Sequence, residues 1–113
     1  MRSMAVGDDD EVAIAAISVA ELRVGVLLAS GRKRGARLAF LDDVLQVIPV
    51  VDYGLEIAEV HAELLVHARG QGRPRGAHDL VIAATAKASS RTVVSADESA
   101  FADLPGVQVR AHH

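Results

Sequence analysis

The feature that most limits how this chain can fold is the run Val12-Ala13-Ile14-Ala15-Ala16-Ile17, apolar at every position and flanked by Glu11 and Ser18. A strand with one wet face alternates apolar and polar residues. A run without alternation belongs to a strand covered on both faces, as in parallel sheets sandwiched between helices. From Ser18 the periodicity turns helical, with Leu22, Val26 and Ala29 on one stripe and Val24, Leu27 and Leu28 on the next, until Gly31 stops it. This helix is expected to be almost wholly buried.

The alternation then repeats along the chain. Gly31-Arg32-Lys33-Arg34-Gly35 reads as a basic connector into a second helix through Leu38, Leu41, Val44 and Leu45. Pro49 confines the strand-like stretch 46–51 to a sheet edge. A third helix is expected over 54–68, followed by a loop rich in glycine and arginine, Arg69 to Gly76, and a fourth helix over 78–89. A short buried strand over 92–96, a helical turn near 98–102 and a last edge strand at 107–109 complete the pattern. Strands alternating with helices predict an α/β fold with a parallel sheet covered on both faces. With neither an internal repeat nor a linker, residues 1–113 form one domain, a polar segment at 1–11 leading into a core at 12–110.

Composition excludes several functions. The 113 residues contain no cysteine, which removes zinc ribbons, thiol catalysis and redox switching and suits a reducing cytoplasm. The only aromatic side chains are Phe40, Tyr53 and Phe101, too few for the stacking platforms of single-strand binders. A net charge of −3 argues against a surface that is basic overall, leaving local basic patches. No apolar run reaches transmembrane length, and Asp8-Asp9-Asp10-Glu11 makes the start unlike a secretory signal, so a cytoplasmic protein is expected.

In open α/β sheets ligands bind at the carboxyl ends of the strands, and three acids fall there. Glu21 stands one helical turn past the first strand, Asp79 opens the fourth helix, and Asp97 directly follows the strand at 92–96. A helix from Asp79 to Ser90 rises ~18 Å and the strand from Arg91 to Ala96 returns ~20 Å, which predicts that Asp97 comes back beside Asp79. Like charges at such distances need compensation, and a hard divalent cation, Mg²⁺ or Mn²⁺, supplies it with oxygen ligands. The chemistry suggested is metal-assisted phosphodiester hydrolysis. Each acid also has a local explanation: Ser18 and Glu21 fit a capping box, Asp79 suits a helix dipole, and Asp97 suits a turn. Only the three together point to a site. Glu56, Glu59 and Glu63 read as a solvated face, and His61 and His67 as structural or surface residues, whereas His78 lies beside Asp79 and is a further site candidate. Arginines 32, 34 and 37 and arginines 69, 73 and 75 form two basic clusters of the kind a phosphate-binding rim requires, with Arg73 and Arg75 the candidates for substrate contact.

Three segments resemble the PIN-domain ribonucleases, specifically the VapC-type toxins of bacterial toxin–antitoxin pairs. They are Ile17-Ser18-Val19-Ala20-Glu21-Leu22-Arg23-Val24-Gly25, His78-Asp79-Leu80-Val81-Ile82-Ala83-Ala84-Thr85-Ala86 and Val93-Val94-Ser95-Ala96-Asp97-Glu98-Ser99-Ala100-Phe101, in family order and at similar spacing across about residues 12–110. The resemblance implies a PIN-like α/β/α sandwich and an endoribonuclease with Glu21, Asp79 and Asp97 as metal-site acids for Mg²⁺ or Mn²⁺. It also implies a VapB-like antitoxin that inserts a peptide near the site, and a homodimer. One departure stands out. The family opens with a central strand ending in an aspartate, the first metal ligand, and then a helix; neither is found here, and Asp8, Asp9 and Asp10 follow no apolar strand. The expectation is therefore a PIN fold truncated at its amino terminus, with the strands at 12–17 and 92–96 left unpaired along the gap. Two other readings follow: a non-catalytic remnant that binds an antitoxin or a full-length partner, and a receiver-like signalling domain that uses one aspartate as phosphoryl acceptor.

Overall fold

A computed structural model of the chain describes residues 3–6, 12–72, 75–95 and 98–111. The first strands are β1 (Ser3–Val6) and β2 (Val12–Ala15), followed by helices α1 (Ala16–Leu28) and α2 (Gly31–Val47). Next come the two-residue strand β3 (Val50–Val51), α3 (Leu55–Gln71), α4 (Ala77–Ala88) and β4 (Thr92–Ser95). A 3₁₀ turn (Glu98–Ala100) leads to β5 (Val109–Ala111). The sheet order is β3-β2-β1-β4-β5. Strand β2 runs parallel to β3, pairing Ile14 with Val50, and β4 runs parallel to β5, pairing Val93 with Val109.

The centre of the sheet corrects the expectation of a gap. Strand β1 fills the slot between β2 and β4 and is antiparallel to both: Ala5 faces Ala13 on one side and Val93 on the other. Only residues 7–11 separate β1 from β2. A connection that short permits a hairpin, whereas a parallel pair needs a crossover of a dozen residues or more. The pairing satisfies both backbone rows that an empty slot would leave bare. Its direction also sets the polarity of the amino terminus. Ser3 pairs with Ser95 where β4 ends, while Val6 pairs with Val12 and Thr92 at the opposite edge of the sheet. Asp8, Asp9 and Asp10 lie outside the described residues.

Helix α1 begins two residues earlier than the sequence pattern suggests, at Ala16 directly after β2, with no side-chain cap. Its surface is also more open than expected: Val24, Leu27 and Leu28 are exposed, and only Ser18 and Val26 are buried. The cause is a tight helical hairpin. The basic segment read as a connector is the first turns of α2, which returns along α1 after only Ala29 and Ser30. Helix α1 has no basic residue in its last turn, and α2 supplies the missing donors. Arg37 donates to the Gly25 carbonyl at 2.9 Å, and Arg34 donates to those of Val26 and Leu27, both at 3.2 Å. These are carbonyls that a helix end leaves without intrahelical partners.

The core is aliphatic, as the composition requires. Helix α4 is its centre, burying Leu80, Ile82, Ala83, Ala84 and Ala86 against Ala15, Ile57, Leu64 and Val93, with Phe101 and Leu104 closing one side. The buried positions Ala83, Ala84 and Ala86 of α4 are small, which lets neighbouring elements pack closely against it.

Candidate active site

Strands β2 and β4 end on the same edge of the sheet, because both run antiparallel to β1 between them. Helix α1 leaves β2 at that edge and carries Glu21 in its second turn. The first turn of α4 carries His78 and Asp79. A hydrogen bond links the two helices: His78 Nδ1–H donates to Glu21 Oε1 at 3.0 Å, across 57 positions of sequence. Both side chains remain accessible, His78 at 58% and Glu21 at 35%. Because Ser18 lies inside α1 and not at its cap, the capping box has no place in the structure, and the Glu21 carboxylate turns outward to the ring.

Asp79 is the third residue of α4, and the residue before that helix is Gly76, with an ordinary φ of −62°. The glycine leaves room for the Asp79 side chain where it now lies. A Cβ on Gly76 would stand 2.8 Å from Asp79 Oδ2 and 3.4 Å from its Cγ. The carboxylate thus occupies the space a side chain at 76 would take, and any larger residue there would displace it.

Asp97 and Arg73 lie outside the described residues, but the chain on either side of Asp97 is placed. Ser95 ends β4 and is buried, and the 3₁₀ turn starts at Glu98. Arg75, a candidate for substrate contact, holds this turn. Its Nη1 donates to the carbonyls of Ser99 at 3.4 Å and Ala100 at 3.2 Å, and its Nη2 to that of Ala102 at 2.7 Å. Arg34 and Arg37 are likewise engaged at the end of α1 and do not stand free as a phosphate rim. Glu56, Glu59 and Glu63 form the exposed face of α3 that the spacing suggests, and Asp52 lies exposed just past β3.

Among the described residues, no three His, Cys, Asp or Glu side chains form a group that could hold a metal ion. Glu21 and Asp79 supply two sets of hard oxygen donors, and Asp97 is the third acid that the sequence brings to this end of β4. Between α1 and α2 runs an apolar groove of about 320 Å³, lined by Leu22, Gly25, Ala36 and Phe40, with Glu21 and Arg37 on its walls. The His78–Glu21 contact, the space left at Gly76 and the Arg75 clamp were not legible in the sequence. His78 beside Asp79 was the one local hint, since adjacent residues at a helix start both project toward what lies in front of it.

Comparison with known proteins agrees with this architecture. The family model described as PIN domain matches residues 3–107. Ribonuclease VapC5 of Mycobacterium tuberculosis is 39% identical over 100 residues, covering 86% of this chain and 71% of the relative. The solved structure of VapBC-5 from the same organism, a member of the VapBC family of toxin–antitoxin systems, superposes with a TM-score of 0.80 at 31% identity, covering 88% of this chain and 81% of that one. VapBC2 of Rickettsia felis, solved bound to a DNA fragment from its promoter, gives a TM-score of 0.82 at 27% identity, covering 89% of this chain and 74% of that one.

Proposed function

This chain belongs to the PIN-domain family, and from that premise we propose that it is a VapC-type toxin, an endoribonuclease that hydrolyses RNA phosphodiesters. The observation that carries the proposal is the Glu21–His78 contact, which joins the two helices bearing the acids at the carboxyl edge of the sheet. A receiver-like signalling domain is set aside by the family match.

The donor chemistry fits Mg²⁺ or Mn²⁺, since every candidate ligand is a carboxylate; Glu21, Asp79 and Asp97 would hold the ion. When bound, such an ion polarises the phosphate and lowers the pKa of a coordinated water. The protein's own part is positioning. His78 holds one oxygen of Glu21 and leaves the other for the site. Gly76 lets the Asp79 carboxylate lie back over the start of α4. The partners we propose are an RNA substrate, a second copy of the chain in a homodimer, and a VapB-like antitoxin whose peptide lies in the apolar groove that passes Glu21. No described helix is long and apolar enough to cross a membrane, and we place the protein in the cytoplasm with its substrate.

The test is incubation of the purified chain with a structured RNA and Mg²⁺, with EDTA and with added antitoxin peptide as controls. Cleavage that EDTA and the peptide both abolish is the expected result; intact RNA at every Mg²⁺ and Mn²⁺ concentration contradicts it. A second reading, a chain that binds antitoxin without cutting, rests on the first strand: β1 runs antiparallel and brings Ser3, not an aspartate, level with the end of β4. Capture of the antitoxin by a chain that neither binds Mg²⁺ nor cleaves RNA would establish it.

A further inference from the structure

We propose that Arg75 is a positioning residue for the reaction, cross-linking the start of α4, which carries His78 and Asp79, to the turn that follows Asp97. The inference rests on the ribonuclease reading above. The side chain makes three hydrogen bonds, to the carbonyls of Ser99, Ala100 and Ala102, which are 24 to 27 positions away in sequence. Its own backbone lies immediately before Gly76, the residue whose missing side chain makes room for the Asp79 carboxylate. One guanidinium therefore ties together the two segments on which Asp79 and Asp97 are carried. The turn is a single 3₁₀ turn in which Phe101 N–H donates to the Glu98 carbonyl at 3.1 Å; the buried Phe101 ring anchors its far end in the core, and Arg75 ties its carbonyls to the start of α4.

The planar fork of arginine suits this task, because it spans several acceptors at fixed angles, which a lysine ammonium cannot do. Stability alone does not account for an arginine here. Its Nε is buried without a hydrogen-bond partner among the described residues, a desolvated donor that an apolar side chain filling the same space would not create. What the guanidinium adds is a set distance between two loops. Misplacement of catalytic groups by an ångström is enough to slow a reaction by orders of magnitude.

The test compares wild type with Arg75→Ala and Arg75→Lys, using circular dichroism to establish folding, amide hydrogen exchange at Phe101 and its neighbours, and steady-state RNA cleavage with Mg²⁺. Arg75→Ala is expected to keep the native spectrum, to speed exchange over 98–102, and to lower kcat about tenfold or more with KM little changed. Guanidinium ion at non-denaturing concentration should restore part of that kcat. Arg75→Lys should fold and stay slow, which keeps the test valid if the alanine variant does not fold. A folded variant with wild-type kcat and unchanged exchange overturns the inference, as does a loss confined to KM. If wild type itself cuts no RNA, the ribonuclease reading fails; if wild type cuts and the variants cut equally well, only the role of Arg75 fails.

Discussion

At the scale of single residues, the site is a set of short side chains held by their neighbours. Glu21 has its orientation from His78, and Asp79 has its room from Gly76. His78→Ala frees the Glu21 carboxylate, and, as for other groups that orient a metal ligand, cleavage should fall about 10- to 100-fold. Because His78 is exposed, its unfolding free energy should move by no more than ~0.5 kcal/mol, measured by urea titration. Gly76→Ala adds a methyl group at a φ any residue adopts, so the fold should persist while the Asp79 carboxylate is pushed aside. Its signature is weaker Mg²⁺ binding by calorimetry with an unchanged melting temperature. The sequence carried the identity of these acids but not their supports. Ser18 and Glu21 have the spacing of a capping box, and only the early start of α1, with Ala15 at the cap position and no side chain to offer there, shows that the box does not form.

At the scale of elements, two hairpins account for the differences from the sequence pattern. The first is β1–β2. Ser3-Met4-Ala5-Val6 is too short and too mixed to announce a strand, yet it pairs antiparallel with β2, and the slot beside β2 and β4 has backbone groups waiting on both sides. A central strand does not accept proline, which removes a ladder hydrogen bond and leaves its partner carbonyl unpaired, so Ala5→Pro should destabilise the chain by about 1–3 kcal/mol. An unchanged denaturation midpoint would mean that β1 is not in the sheet. The second is α1–α2. The apolar stripe of α1 continues past the core into solvent at Leu27 and Leu28, and periodicity cannot separate a buried helix from one that projects beyond the sheet. The arginines of α2 hold that projection by its final carbonyls. Replacing Arg34 and Arg37 together by alanine should fray the last turn of α1, raising amide exchange there while the amides of α4 keep their protection.

At the scale of the whole molecule, much was legible because α4 and the strands around it are so consistently apolar. The run at 12–17, the helix through Leu80 and Ala84 and the strand at 92–95 agree in pattern, and the structure packs them as one core with Phe101 almost completely buried. Truncating that ring, Phe101→Ala, should remove about 3–5 kcal/mol of stability. What the pattern could not supply was the direction of the central strand, which depends on pairing and not on periodicity. The account as a whole stands on Glu21 being part of a metal-dependent ribonuclease site. It is tested most directly by cleavage of one structured RNA with Mg²⁺ by wild type and by Glu21→Gln, at equal concentrations of folded protein. The expected result is cutting by wild type and a loss of about a hundredfold or more in the variant, whose shape is nearly the same but whose charge is gone. Equal rates for the two chains would contradict it.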